Sequence, residues 1–167
     1  MDVHFRQFKT HDIPVFYAWA EKTHVKEEWF KEGYEPKESI LKKLDDNTTT
    51  FPFMVCLNEK DIGYIQYYMV NNGGYEIYKK ERDNTVGFDL FIGEENYLNK
   101  GYGTQIVRQF SQMLLTKPEV GKIIVDPFIY NTRAIRCYEK AGFNFYKEDF
   151  DDNGAKLYVM QKLKNVD

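Results

Sequence analysis

One stretch limits the folds open to this chain more than any other: Val86-Gly-Phe-Asp-Leu-Phe-Ile92, then Gly93 to Asn99, then Lys100-Gly-Tyr-Gly-Thr104 running into Gln105-Ile-Val-Arg-Gln-Phe-Ser-Gln-Met-Leu-Leu115. The first segment is an apolar run of strand length. The last carries Ile106, Val107, Phe110, Met113 and Leu114 at helical spacing, so the glycines stand where a strand becomes a helix. Gly101 and Gly103 let the backbone approach a ligand closely, and the first N–H groups of the helix that follows are unpaired and lie at the positive end of its dipole. An anion such as a pyrophosphate fits there; the bland alternative is a glycine-softened turn with no ligand. The nucleotide motifs that can be tested fail. Gly-x-Gly-x-x-Gly would need a glycine at Ile106, and a Walker loop would need Lys-Ser/Thr after its second glycine, so the phosphate carrier is of another kind.

The flanking segments make the sheet mixed. Val3 to Phe8 begins by alternating and suits a first strand. Thr10 or Asp12 then caps a helix with Pro14 in its first turn and Ile13, Phe16, Tyr17 and Ala20 turned inward. A second helix follows Pro36, with Ile40, Leu41 and Leu44 as its apolar side. His24 to Phe30 lies between them without clear periodicity, as a packed inter-helix loop or a substrate wall. Phe51–Leu57 and Ile62–Val70 read as a hairpin over Asn58-Glu-Lys-Asp61. Asn71 to Asn84 is a polar loop long enough to be a substrate-facing flap. After the strand Thr85–Ile92 and the glycine helix come a strand at Lys122–Pro127, a helix over Asn131–Gly142 and two strands, Phe143–Lys147 and Leu157–Leu163, around the turn Asp151-Asp-Asn-Gly154. A hairpin-rich first half followed by a strand-helix-strand unit, which needs a right-handed crossover, gives an α/β or α+β fold. At 167 residues it reads as a single domain, 1–167.

A formal charge of −3 argues against a nucleic-acid partner, which would ask for a basic face, and makes a cationic ligand easier to hold. Cys56 and Cys137 are far apart and no His/Cys spacing suits a metal, so both read as ordinary buried thiols. The start, Met-Asp-Val-His-Phe-Arg, lacks a signal-peptide pattern and no run approaches a membrane span, so the expected location is the cytoplasm.

Lys100-Gly-Tyr-Gly-Thr104 before a helix and Asn131-Thr-Arg-Ala-Ile-Arg-Cys-Tyr-Glu-Lys-Ala-Gly-Phe143 resemble the two hallmark motifs of the GNAT superfamily of acetyl-CoA-dependent N-acyltransferases. Inside it the chain is most similar to the aminoglycoside 6′-N-acetyltransferases, through Gly87–Gly93, Val125-Asp-Pro127 and Asn131–Phe143, with Ile62-Gly-Tyr64 and Glu28-Trp29 in support. The usual superfamily loop has Gln or Arg three residues before its first glycine. Here that place is Leu98, which leaves the cradle to backbone N–H groups. The resemblance implies a mixed, mostly antiparallel central sheet with a splayed parallel pair, flanked by helices. It also implies direct transfer of an acetyl group from acetyl-CoA to a primary amine, the 6′-amine of an aminoglycoside, within a ternary complex and without a metal. Cofactor contacts are then expected at Lys100, Gly101, Tyr102, Gly103 and Thr104, at Asn131 near the pantetheine arm, at Ala134, and at the backbone N–H groups of Phe91 and Ile92, which would bind the oxyanion.

An amine attacks a thioester only when neutral, and a Lys-like amine has a pKa of about 10, so a base or a path to water must take its proton. Asp89 lies mid-strand between Phe88 and Leu90, where a carboxylate is costly unless paired or used. The resemblance sets it beside the reacting amine, as proton acceptor or as anchor for the ammonium. Tyr138 looks like a core residue by its spacing with Ala134 and Ile135. The resemblance instead gives it the thiol-facing position, as the acid that protonates the departing thiolate. Asn131 is a good helix cap on its own account. Asp126 closes a strand where open α/β sheets place ligands. With Asp89, Glu28 and Asp151 or Asp152 it could line an acidic cleft for a polycationic sugar, and Trp29, Tyr64, Tyr67 and Tyr68 could add flat faces. The plain alternative for each is a solvated acid or a core tyrosine. The competing functions are a GNAT enzyme for another amine, such as a protein N-terminus, a polyamine or a siderophore precursor, and a non-catalytic acyl-CoA sensor, which has no need of Asp89 plus Tyr138. The assembly expected is a monomer or homodimer.

Overall fold

The computed structural model describes residues 2–31, 33–72 and 76–165. Among them the elements follow in the order β1 (Val3–Gln7), α1 (Ile13–Ala20), α2 (Thr23–Trp29), α3 (Lys37–Lys42), β2 (Thr50–Leu57), β3 (Lys60–Met69), β4 (Thr85–Ile92), α4 (Tyr102–Thr116), β5 (Lys122–Val125), α5 (Thr132–Lys140), β6 (Asn144–Phe150) and β7 (Lys156–Leu163). The strands form one sheet in the order β1-β2-β3-β4-β5-β7-β6. It is mostly antiparallel: β1 with β2, β5 with β7 and β6 with β7 run opposite ways. The pair β4–β5 is parallel, from Thr85 opposite Lys122 to Gly87 opposite Ile124. The strand Thr85–Ile92 has the bounds expected from its apolar run. The turn between β2 and β3 is tighter than the four residues expected. Asn58 and Glu59 alone close it, with φ of 47° and 67°, a left-handed pair whose twist matches that of the strands it joins.

Two compact units are distinguished, Met1–Tyr67 with Asp89–Tyr102, and Tyr68–Phe88 with Gly103–Asp167. The first has an aromatic core. Phe16 sits 4.8 Å from Tyr64 and edge-on to it, and Tyr64 stacks on Phe91 at 5.6 Å, with Phe8, Trp19 and Phe30 buried in the same cluster. Each such ring contributes about 1.5–3 kcal/mol by leaving water. The stretch His24–Phe30, read from sequence as a packed loop or a substrate wall, is mostly the helix α2. Its inward side rests on two residues four apart, Val25 buried and Trp29 half-buried, too small a stripe to stand out among Lys26, Glu27 and Glu28. On α3 only Ile40 is buried; Leu41, expected on the apolar side, is exposed. Asp12 precedes α1 without capping it through its side chain. Its buried carboxylate instead receives Arg6 through Nη1 at 2.8 Å and Nη2 at 2.7 Å, and the Lys9 N–H at 2.8 Å. Arg6 also reaches Asp61 through Nε at 3.0 Å and Nη2 at 2.6 Å.

In the second unit α4 buries Ile106, Val107, Phe110 and Leu114 of the stripe expected of it, while Met113, expected with them, is half-buried. Phe88 meets Phe110 edge-on at 5.6 Å and Phe143 at 5.9 Å. The Lys162 ammonium ties this packing together, donating to Ser111 Oγ at 3.0 Å and to the Ala141 carbonyl at 2.9 Å. The β6–β7 turn forms as its residues predict. Asp151 Oδ1 accepts the N–H groups of Asn153 and Ala155, and Gly154 takes φ of 81°.

Candidate active site

In the first unit Asp89 is half-buried on β4 and accepts a hydrogen bond from Gln66 Nε2 at 3.3 Å. The other end of that amide, Gln66 Oε1, accepts from Tyr64 Oη at 2.9 Å and from Lys43 Nζ at 2.8 Å. Lys43 in turn pairs with Glu35 at 2.7 Å. Burial pushes the Tyr64 phenol well above its ordinary pKa, and the charges of Glu35 and Asp89 push the same way, so it is a donor at working pH.

The end of β4 is pinned by side chains. His24 Nε2 meets the Ile92 carbonyl at 2.9 Å, Lys22 Nζ donates to the Gly93 carbonyl at 3.0 Å, and Trp19 Nε1 donates to Glu94 Oε1 at 2.9 Å. The Gly93 and Glu94 N–H groups both reach the Ile62 carbonyl, at 2.8 and 3.2 Å. Close approach explains the glycines here. A Cβ on Gly93 would lie 2.2 Å from the Trp19 ring, and one on Gly63 would lie 2.4 Å from the Phe91 carbonyl oxygen. Phe91 itself is a core side chain, 5.1 Å from Trp29, so any role toward a ligand falls to its main chain. Trp29 therefore packs edge-on against the core rather than standing free as a platform, and Glu28 is exposed on α2. Ahead of α4, Asn99 and Gly101 take left-handed φ of 58° and 83°. Lys100 and Gly101 are exposed, and the Tyr102 ring leans on Tyr97 at 5.5 Å.

In the second unit the first turn of α4 lies against α5. Thr104 Oγ1 is 3.6 Å from Cys137 Sγ, and Arg108 Nη2 donates to the Lys140 carbonyl at 2.6 Å. The thiol of Cys137 is half-buried, not fully buried as expected, and desolvation still raises its pKa. Among the described residues a Cβ on Gly103 would approach Cys137 Sγ alone, at 3.6 Å, so there is room beside this half-buried glycine. Asn131 caps α5, its Oδ1 accepting the Ala134 N–H at 3.1 Å. Tyr138 is half-buried, its ring edge-on to Phe143 at 5.7 Å and to Phe88 at 6.1 Å. The structure thus brings Gly103, Thr104, Asn131, Ala134 and Tyr138 onto two neighbouring helices.

Asp126 follows β5 and receives the Tyr78 hydroxyl on Oδ2; burial pushes its carboxyl above the ordinary range despite that bond. Tyr68 is half-buried and lies over Gly87, where a Cβ would be 2.7 Å from its ring. Asp152 is exposed and lines a cleft of about 540 Å³ with Glu76, Lys79, Tyr146, Lys147 and Phe150. Sequence reasoning singled out none of Gln66, Tyr78, His24 and Lys43, although His24 lay in the stretch read as a loop or substrate wall and Tyr78 in the loop Asn71–Asn84. Gln66 alone left a signal, a polar residue between Ile65 and Tyr67 in an apolar strand. Among the described residues, no group of three or more His, Cys, Asp or Glu is placed to hold a metal ion.

The acetyltransferase (GNAT) domain profile matches residues 9–149. The chain belongs to the GNAT acetyltransferase family. It is 34% identical over 165 residues to aminoglycoside N(6′)-acetyltransferase type 1 of Klebsiella pneumoniae, covering 95% of this chain and 82% of that one. Its fold is similar to that of AAC(6′)-Ib solved with ribostamycin and coenzyme A, with a TM-score of 0.88 and 32% identity over 98% of this chain and 94% of the other. The same enzyme solved with coenzyme A and kanamycin gives 0.87 and 31%, over 98% and 95%. As a GNAT enzyme the protein takes acetyl-CoA, and its residues fit that ligand. Gly103 leaves room beside the first turn of a 15-residue helix, where a helix start has unpaired N–H groups that suit a pyrophosphate.

Proposed function

We propose that the protein transfers an acetyl group from acetyl-CoA to the 6′-amine of an aminoglycoside antibiotic. Similarity to a 6′-acetyltransferase along 95% of the chain supports this reading, and the single observation that carries it is Asp89, a carboxylate held on β4 by the Gln66 amide. Acetyl-CoA supplies the activated acyl group as a thioester. The Lys100–Thr104 segment and the start of α4 hold its pyrophosphate, and Asn131 and Ala134 flank its arm. Asp89 accepts or attracts the proton of the substrate ammonium, so that the neutral amine attacks the thioester carbonyl. The N–H groups of Phe91 and Ile92 polarise that carbonyl, and the Tyr138 hydroxyl gives a proton to the departing thiolate. Asp126, Asp152, Glu28, Trp29 and Tyr68 contact the cationic sugar.

The profile match runs through both compact units, which supports one acetyltransferase domain over 1–167. No described helix is long and apolar enough to cross a membrane. A cytoplasmic place, as monomer or homodimer, suits two cysteines left as thiols. The test is thiol release from acetyl-CoA with kanamycin and ribostamycin beside spermidine and a peptide amine. Release is expected with the aminoglycosides; release with spermidine or peptide alone would overturn the substrate assignment, and release with none would favour a sensor.

A further inference from the structure

We propose that Gln66 is a positioning residue for the transfer, presenting its amide N–H to the Asp89 carboxylate in a direction imposed from behind by Lys43 and Tyr64. The inference rests on the reading of Asp89 as the acid beside the reacting amine. An amide has one accepting and one donating end of nearly equal shape, and its partners decide which way it points. An ammonium has donors only, and the Tyr64 phenol is held protonated by burial. Both stand within 2.9 Å of the same atom of Gln66, which must therefore be the oxygen. The nitrogen is left for Asp89. A donor to a carboxylate favours its ionised form and restricts its rotation.

The support extends further back. Lys43 is nearly buried, with 13% of its side chain exposed, and is held by Glu35, while Tyr17 Oη donates to the Glu35 carbonyl at 2.6 Å. A line of contacts thus runs from the segment before α3, through Lys43 and Gln66, to Asp89. Among the described residues, the titratable groups in this line of contacts include Tyr64 on β3 itself, Lys43 just past α3, and Glu35 and Tyr17 behind it. Gln66 transmits position without charge. A carboxylate in its place would take the Lys43 ammonium for itself and turn a second negative charge toward Asp89.

The experiment measures steady-state thiol release from acetyl-CoA with kanamycin for Gln66→Leu, Gln66→Glu and Asp89→Asn, with melting curves for each. Gln66→Leu is expected to lower kcat about 10–100-fold, the scale of a misplaced reacting group, and to leave the KM for acetyl-CoA unchanged. In an Asp89→Asn background the same change should cost nothing further, because the two residues act as one unit. Gln66→Glu should move the acid limb of the kcat profile to higher pH, as a like charge makes Asp89 hold its proton. Wild-type kcat in Gln66→Leu, with Asp89→Asn impaired, overturns the positioning role alone. A rise in kanamycin KM without loss of kcat makes Gln66 a substrate contact and overturns it too. Wild-type kcat in Asp89→Asn sinks the underlying reading as well. Should Gln66→Leu not fold, Lys43→Met decides: it releases the amide to turn over, so kcat must fall for the proposal to stand.

Discussion

Gly63→Ala should damage both stability and turnover. The Cβ it adds would lie 2.4 Å from the Phe91 carbonyl oxygen and 3.1 Å from Ile92 Cα, both backbone atoms that no rotamer change can move. To reach ordinary contact the Phe91 carbonyl must retreat by about 1 Å, an overpacking strain of about 1–3 kcal/mol. The same movement stretches the two hydrogen bonds from Gly93 and Glu94 to the Ile62 carbonyl, each worth about 0.5–1.5 kcal/mol. Against this stands about 0.4–1 kcal/mol from a less flexible unfolded chain. The net loss is about 1–5 kcal/mol, which for a chain of this size lowers Tm by about 2–20 °C. Asp89 lies two residues before Phe91 on the strand that moves, and a displacement near 1 Å at a reacting group costs about 100-fold in rate. Differential scanning calorimetry and thiol release read the two effects. The matched control is Gly103→Ala, whose Cβ meets only Cys137 Sγ at 3.6 Å and should leave Tm nearly unchanged. If Gly63→Ala melts with wild type, strands β3 and β4 do not approach as closely as described and the argument fails.

Gly103→Val should raise the KM for acetyl-CoA with little loss of Tm, since valine is no poorer a helix former than glycine; an unchanged KM would remove the pyrophosphate from the start of α4. For Asp12 and Asp61, burial favours the neutral acid, yet hydrogen bonds from Arg6 hold both carboxyls below the ordinary range. A folded pKa below the unfolded one stabilises above the unfolded value, about 3.9, and that contribution is lost as pH falls through the folded value. Asp12→Asn should therefore melt lower than wild type at neutral pH and show a flatter Tm curve in acid; parallel Tm curves would refute the linkage. Asp126 has the opposite sign, since desolvation raises its folded pKa, so its ionised form burdens the fold as pH rises through that value. Asp126→Asn should melt no lower than wild type at neutral pH while raising KM for kanamycin with kcat nearly intact, and a fall in kcat instead would assign Asp126 to the chemistry.

Where structure depends on near neighbours, the sequence was enough. The apolar run from Val86 to Ile92 defined β4, the 3.6-residue spacing of Ile106, Val107, Phe110 and Leu114 defined the buried face of α4, and Asn131 and Gly142 marked the two ends of α5 by cap chemistry alone. The two motifs that pointed to acyl transfer are contiguous for the same reason: backbone N–H groups at a helix start bind phosphate whatever the rest of the chain does. Tertiary structure decided what distant residues do to one another. It made a helix of the residues from Thr23 to Trp29 by giving Val25 and Trp29 an aromatic core to bury against, a gain that no local pattern encodes. It packed the Trp29 and Phe91 rings 5.1 Å apart in the aromatic core, and joined Tyr78 to Asp126 across 48 residues. It also set Lys43 behind Gln66, and so chose which end of an amide faces Asp89. Periodicity reports which side of an element is apolar. Only the packed fold reports which polar atoms meet, because each hydrogen bond depends on placing two chain segments to within a few tenths of an ångström.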